Sequence, residues 1–264
     1  MGREARRRRA APEFLLVPGG WKTLSDTLKG GGMNGSSPQH QVPAGIPRDA
    51  VPRVATVVCS RVANYSQFVC GAPPAEVQSV VTAYVTAMAT IVRASGGFVN
   101  RSSGGEIVAV YGYPLEEESH AHRAVVGARE MLVTMHELNA RWGISGLPQL
   151  DGIGVGVDTG LLRLIRIKAG KRVRLDAIGA PMTGATRLQE LTTEMGHPLI
   201  MSSEVARDQR VFPVAEEGAA TSHGADALEF VGEVMLRGQG RRRLFGLHEP
   251  KAPAAFAHTR SRPR

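Results

Sequence analysis

Residues 96–112 read GGFVNRSSGGEIVAVYG, from Gly96 to Gly112. A short extended run enters, Ser102-Ser103-Gly104-Gly105 reverses it, and an apolar run leaves through Ile107 to Tyr111. The spacing predicts a β-hairpin. A glycine-rich turn lets the backbone approach a phosphate or a metal closely. This turn holds no carboxylate, and the nearest is Glu106, one residue past the second glycine.

Upstream of the hairpin, Pro73-Pro74 precedes apolar residues at Val77, Val80, Val81, Tyr84, Val85, Met88, Ile91 and Val92. That i, i+3, i+4, i+7 spacing predicts a helix, ended by Gly96-Gly97. Before it, Arg53 to Val58 alternates β-branched residues and predicts a strand. Downstream, the acidic run Glu116 to Glu118 follows Pro114 and suits the positive end of a second helix. That helix buries Ala121, Ala124, Val125, Ala128, Met131, Leu132, Met135 and Leu138. Residues 151–167, DGIGVGVDTGLLRLIRI, read as a strand, an Asp-Thr-Gly turn and a second strand. The run 162–174 alternates basic and apolar residues.

A third helix spans about Pro181 to Met195. A short strand, a short Ser-capped helix and a closing hairpin around Gly238-Gln239-Gly240 complete the chain. The order βαββαββ followed by αβαββ predicts an α+β fold: a mixed central sheet with helices packed on one face, around a βαββαβ ferredoxin-like core.

The 264 residues carry a formal net charge of +8. Residues 1–50 hold eight Lys/Arg against four Asp/Glu, residues 251–264 hold four Lys/Arg and no acid, and the body holds 20 of each sign. The basicity therefore lies in the tails, which argues against a nucleic-acid face on the body. We read 1–52 as a disordered basic Gly/Pro-rich leader, with Met33 as an alternative start, 53–249 as the folded domain and 250–264 as a disordered basic tail. No run of 18 apolar residues is present, so no membrane span is expected. Cys59 lies inside an apolar run and reads as a buried thiol of a reducing cytoplasmic protein. His120 and His122, two apart on a helix, face different ways and do not make a metal pair.

Six segments in order, TVVCSRVANYSQF (56–68), GGFVNRSSGGEIVAVYG (96–112), HAHRAV (120–125), GIGVGVDTG (152–160), LDAIGAPMTGATRL (175–188) and VGEVMLRGQG (231–240), resemble the catalytic domain of class III adenylate/guanylate cyclases over about 190 residues. The resemblance implies a head-to-tail dimer with its active site at the interface. There, two Asp residues hold two Mg²⁺ or Mn²⁺ ions on a nucleoside triphosphate, and attack of the ribose 3′-OH on the α-phosphorus is a phosphoryl transfer.

Carried over residue by residue, the two metal-holding Asp positions fall on Arg61 and Gly105. Glu106, one place late in the turn, is expected to point to the opposite face and to be a poor substitute, unless a bulge at Gly104-Gly105 re-aims it. Arg61 is read as reaching to solvent or salt-bridging Asp158 or Glu106, the alternative being a guanidinium that holds phosphate oxygens without a metal. Thr183 stands at the position of the transition-state Asn, and Arg187 matches the transition-state Arg. Asp176 matches the adenine-reading Asp, Arg101 stands for the base-reading Lys, and Arg237 for a basic residue contacting phosphate. With no metal ligands, no metal cofactor is expected. The reading is a catalytically inactive pseudo-cyclase that binds ATP or another nucleotide, or regulates a partner, as a homodimer or as a heterodimer with an intact cyclase chain. The alternatives are a weakly active adenylate cyclase using Glu106, and a dimeric scaffold with a nucleic-acid- or membrane-binding tail.

Overall fold

The computed structural model describes residues 14–17, 20–23, 51–113, 118–169, 172–208, 228–236 and 240–247. The chain divides into two units, Met1–Ser37 and Pro38–Arg264. In the first, strands β1 (Phe14–Val17) and β2 (Gly20–Thr23) pair antiparallel. This hairpin is an element that the reading of 1–52 as a leader does not contain.

The second unit holds β3 (Arg53–Val62), α1 (Tyr65–Gly71), α2 (Pro74–Ala94), β4 (Phe98–Ser103), β5 (Glu106–Tyr111), α3 (His120–Ile144), β6 (Ile153–Ala169), β7 (Arg172–Ile178), α4 (Ala180–Met195), β8 (Leu199–Ser202), α5 (Ser203–Ala206), β9 (Glu229–Leu236) and β10 (Gly240–Leu247). Its eight-stranded sheet runs β4-β5-β3-β6-β8-β10-β9, and β7 pairs with the outer half of β6. The β6–β8 pairing is parallel and the others antiparallel. This is the mixed-sheet α+β fold expected from the sequence.

Alternation along the strands sorts side chains to the two faces. Val58, Val62, Ile107, Ala109, Val155, Val157, Leu199 and Met201 pack with Val80, Tyr84, Met88 and Val92 of α2, and with Ala124, Ala128, Met131 and Met135 of α3. Each large side chain so buried contributes roughly 1.5–3 kcal/mol. The intervening residues Val57, Cys59, Val108 and Val110 join Leu162, Leu164, Ala177 and Ala185 on the other face. There α4 closes the sheet through Leu188 and Leu191 against Ile200 and Leu244. So α2 and α3 share one face, as the βαββαβ core requires, and α4 covers the opposite one; helices therefore lie on both faces rather than on one as predicted, because alternation along β3, β5 and β6 gives the sheet a second apolar face.

The second helix begins at His120, has Ser119 as its N-cap and carries no acid in its first turn; of the acidic run expected at its start, Glu118 precedes the cap and residues 116 and 117 lie outside the described residues. No turn occurs at Asp158-Thr159-Gly160: β6 continues for 17 residues, because β3 pairs with it from Ile153 to Leu162 and leaves no free edge to fold back. Finally, α2 is by length and composition apolar enough to cross a membrane. Its Val80, Tyr84, Met88 and Val92 lie in the core between sheet and α3, which accounts for its apolarity.

Candidate functional site

The end of β3, the β4–β5 turn and α1 enclose a cleft of about 670 Å³, lined among others by Arg61, Asn64, Tyr65, Arg101, Gly104 and Glu106. The register places Arg61 directly opposite Glu106. Gly104 and Gly105 both adopt the left-handed region, at φ 56° and 75°, so the turn takes two residues that only glycine accepts without strain. The Gly105 carbonyl is held by the Val62 amide at 3.0 Å and by the Tyr84 hydroxyl at 3.4 Å. Burial raises the Tyr84 phenol's pKa and so keeps it a neutral donor.

Glu106 therefore does not turn to the far face, as the one-residue offset suggested. It points back at Arg61. Arg61 Nη2 donates to its Oε2 at 2.5 Å and Arg101 Nη2 to its Oε1 at 2.7 Å. The Glu106 side chain is 9% exposed, whereas the two arginines are 44% and 54% exposed. The hydrogen bond to Glu106 is the main influence holding the Arg61 pKa above its ordinary value, against a smaller opposing effect of burial.

Replacing the carboxylate with Glu106→Gln leaves two cations facing each other and is expected to cost about 1–2 kcal/mol. Urea unfolding at low and high salt checks this, the loss shrinking in high salt; no loss at low salt would mean the bridge contributes nothing.

Gly105 offers no ligand, and its surroundings leave no room for one. A Cβ there would fall 2.5 Å from Cδ2 and 2.9 Å from Cγ of Tyr65, whose ring sits against the turn. Among the described residues no group of three or more His, Cys, Asp or Glu side chains converges as a metal-holding set. The one carboxylate in the cleft has both oxygens taken by guanidinium groups, so the residues present do not fit the pair of ions that the resemblance implies.

The remaining predicted residues do not gather in this cleft. Asp176, on β7, accepts from Asn100 Nδ2 at 3.2 Å, and the Ala177 amide donates to Asn100 Oδ1 at 3.1 Å. Arg101, the expected companion of Asp176, is turned to Glu106 instead. Asn100 is the extra residue of a bulge between Val99 and Arg101, and its 8% exposure reflects the strand it grips. A bulge leaves no signal in alternation, and Asn100 was missed from sequence for that reason. Tyr65 was missed too, because its seven-residue helix buries no side chain and so shows no period.

On α4, Pro181, Gly184, Ala185 and Leu188 are buried. Thr183 and Arg187, one turn apart, lie on the exposed side, where Arg187 pairs with Glu190 at 3.0 Å. Arg237 lies outside the described residues. His120 meets Thr56 Oγ1 at 2.8 Å, in a network with Thr159. Cys59 is buried, and burial pushes its thiol up to about 12, so it is inert.

No family model matches the sequence. The chain is 21% identical over 159 residues to an adenylate cyclase of Anabaena cylindrica, a match covering 60% of this chain and 31% of that protein. The chain thus spans less than a third of that relative's length. Among solved structures, the adenylyl cyclase CyaB from P. aeruginosa superposes with a TM-score of 0.64 at 19% identity, over 75% of this chain and 95% of that one. The guanylyl cyclase Cya2 gives 0.61 at 24% identity, over 77% and 97%. The fold expected from the six segments is the fold these domains share.

Proposed function

We propose that this chain, whose fold is that of the class III nucleotidyl cyclase domains, is a catalytically silent dimer subunit that works through a partner. It presents Thr183 and Arg187 of α4, and Asp176 of β7, to a second chain and supplies no metal site of its own. The observation that carries this reading is the bridge Arg61–Glu106–Arg101, with Tyr65 filling the turn at Gly105. A guanidinium in place of a carboxylate repels a metal by about 4 kcal/mol per unit charge at 4 Å, at an effective dielectric near 20.

The test is cyclic nucleotide formation by the full chain with Mn²⁺ and ATP or GTP. We expect no product from the chain alone, and a changed rate when it is mixed with an intact cyclase domain. Mn²⁺-dependent product that Glu106→Ala abolishes would favour the competing reading, a weakly active adenylate cyclase, and overturn this one.

Arg61→Asp combined with Gly105→Asp is expected to remain silent and to lose about 2 kcal/mol, because an aspartate at φ 75° also meets the Tyr65 ring. Adding Tyr65→Ala should let Mn²⁺ bind, as calorimetry would read. Mn²⁺ binding by the double variant would show that Tyr65 is no obstacle.

Pairing with a second chain is supported by exposed apolar residues around the β6–β7 arm. Val54 and Leu161 face each other across β3 and β6 at 56% and 60% exposure, and Ile178 on β7 is 47% exposed. Leu161→Asp is expected to turn a dimer into a monomer by light scattering. A dimer unaffected by this change would place the contact elsewhere.

A further inference from the structure

We propose that the Arg61–Glu106–Arg101 cluster is a clamp for a polyphosphate chain that binds without any metal ion. This deepens the reading of a site without metal ligands and rests on it.

Glu106 is the structural centre of the cluster rather than a ligand. Being buried and placed opposite Arg61 in the register, it takes one nitrogen from each arginine and fixes the two guanidinium groups on either side of a single carboxyl. A guanidinium carries five N–H donors, so four on each arginine remain for a ligand. Among the described residues neither guanidinium makes another side-chain hydrogen bond or close ion pair, and Glu190 acts on Arg61 only as a weaker charge. The cleft holds two positive charges against one negative, its other lining residues being neutral. Ser66, Gln67 and Ser103 also line the cleft and add uncharged donors.

Half-exposed, pre-positioned guanidinium groups suit phosphate oxygens, which they meet in a planar fork. At about 670 Å³ the cleft lies in the range of small-ligand sites. Since the positive charge is supplied by side chains, a divalent ion on the phosphates competes with the clamp instead of assisting it.

The experiment is calorimetric titration of the full chain with inorganic tripolyphosphate, ATP and adenosine, each in EDTA and again in excess Mg²⁺. We expect tripolyphosphate and ATP to bind in EDTA with similar affinity, adenosine not to bind, and Mg²⁺ to weaken both by about fivefold or more through charge neutralisation. Tighter binding of ATP than of tripolyphosphate would identify a nucleotide rather than a free polyphosphate as the preferred source of the same chemistry. Arg61→Gln and Arg101→Gln should each weaken binding about tenfold, the scale of one hydrogen bond to a charged group. Should Arg61→Gln fail to fold, the more exposed Arg101→Gln carries the test.

Binding that requires Mg²⁺ or Mn²⁺ would overturn both this inference and the reading of a silent site. Absence of binding in either buffer would overturn this inference alone. Binding unchanged in both variants would place the anion elsewhere and also overturn it.

Discussion

Gly156→Ala is expected to destabilise the protein by about 3 kcal/mol, at the upper end of overpacking costs. Gly156 lies mid-strand in β6, paired with Cys59 on one side and Ile200 on the other. A Cβ there would overlap the Ala185 carbonyl oxygen and the Gln189 amide nitrogen, and would stand 3.0 Å from Gln189 Cα. All three are backbone atoms of α4, so no side-chain rotation relieves the clash and the helix must lift off the sheet. Lifting it loosens Ala185, Leu188 and Leu191 together and moves the exposed Thr183 and Arg187. Thermal unfolding should show a fall of roughly 10 °C for a body of this size. Gly71→Ala, where nothing lies within 4 Å, should stay within about 0.5 kcal/mol of the parent. A Gly156→Ala protein as stable as the parent would contradict the seating of α4 against β6.

The second large effect has the opposite sign. Asp158→Asn is expected to stabilise the protein by about 1–3 kcal/mol at pH 8 and by little near pH 4. Asp158 is fully buried; its Oδ1 accepts the Thr159 amide at 2.9 Å, while its Oδ2 has no hydrogen-bond partner among the described residues. Burial pushes the carboxyl from an ordinary 3.8 up to about 6, against the smaller downward pull of Ser202, the Thr159 amide and Arg242; Glu204 adds to the rise.

A carboxyl whose pKa is raised on folding costs stability wherever it must ionise. The cost is complete above about pH 6, shrinks as pH falls from 6 towards 4, and is absent below the unfolded value. Asparagine keeps the Thr159 bond and removes the charge. Urea unfolding of parent and variant at pH 8 and pH 4.5 reads the difference, and equal gains at both values would rule out ionisation of Asp158 as the cause.

Much of the architecture was legible in the sequence because it is written in period. Val80, Tyr84, Met88 and Val92 mark one stripe of α2, and Ala124, Ala128, Met131 and Met135 one of α3; both stripes are buried as spaced. Illegible features depend on partners distant in sequence. Asp158-Thr159-Gly160 has the composition of a turn, but pairing with β3 at Val57, Thr56 and Ala55 holds it straight. Asp158 occupies what looks like an outward polar position, yet lies under the second layer formed by α4.

The site divides along the same line. The residue types at 61 and 105 were plain from their order alone. The sequence left Arg61 two partners, Asp158 and Glu106; the choice of Glu106 follows from two successive left-handed glycines and the register between β3 and β5.

The central position of β3 also has a consequence for how the chain reaches its native state. Both neighbours of β3 lie far downstream, Ala109 facing Val58 about 50 residues later and Asp158 facing Val57 about 100 residues later. During synthesis the apolar run Val54-Ala55-Thr56-Val57-Val58-Cys59 must therefore leave the ribosome with two unpaired edges and wait for β6 before the sheet can close. Such sequence-distant pairing makes for slow folding, and a waiting central strand is where self-association begins. Chains truncated before residue 153 should accordingly aggregate, whatever the stability of the finished domain.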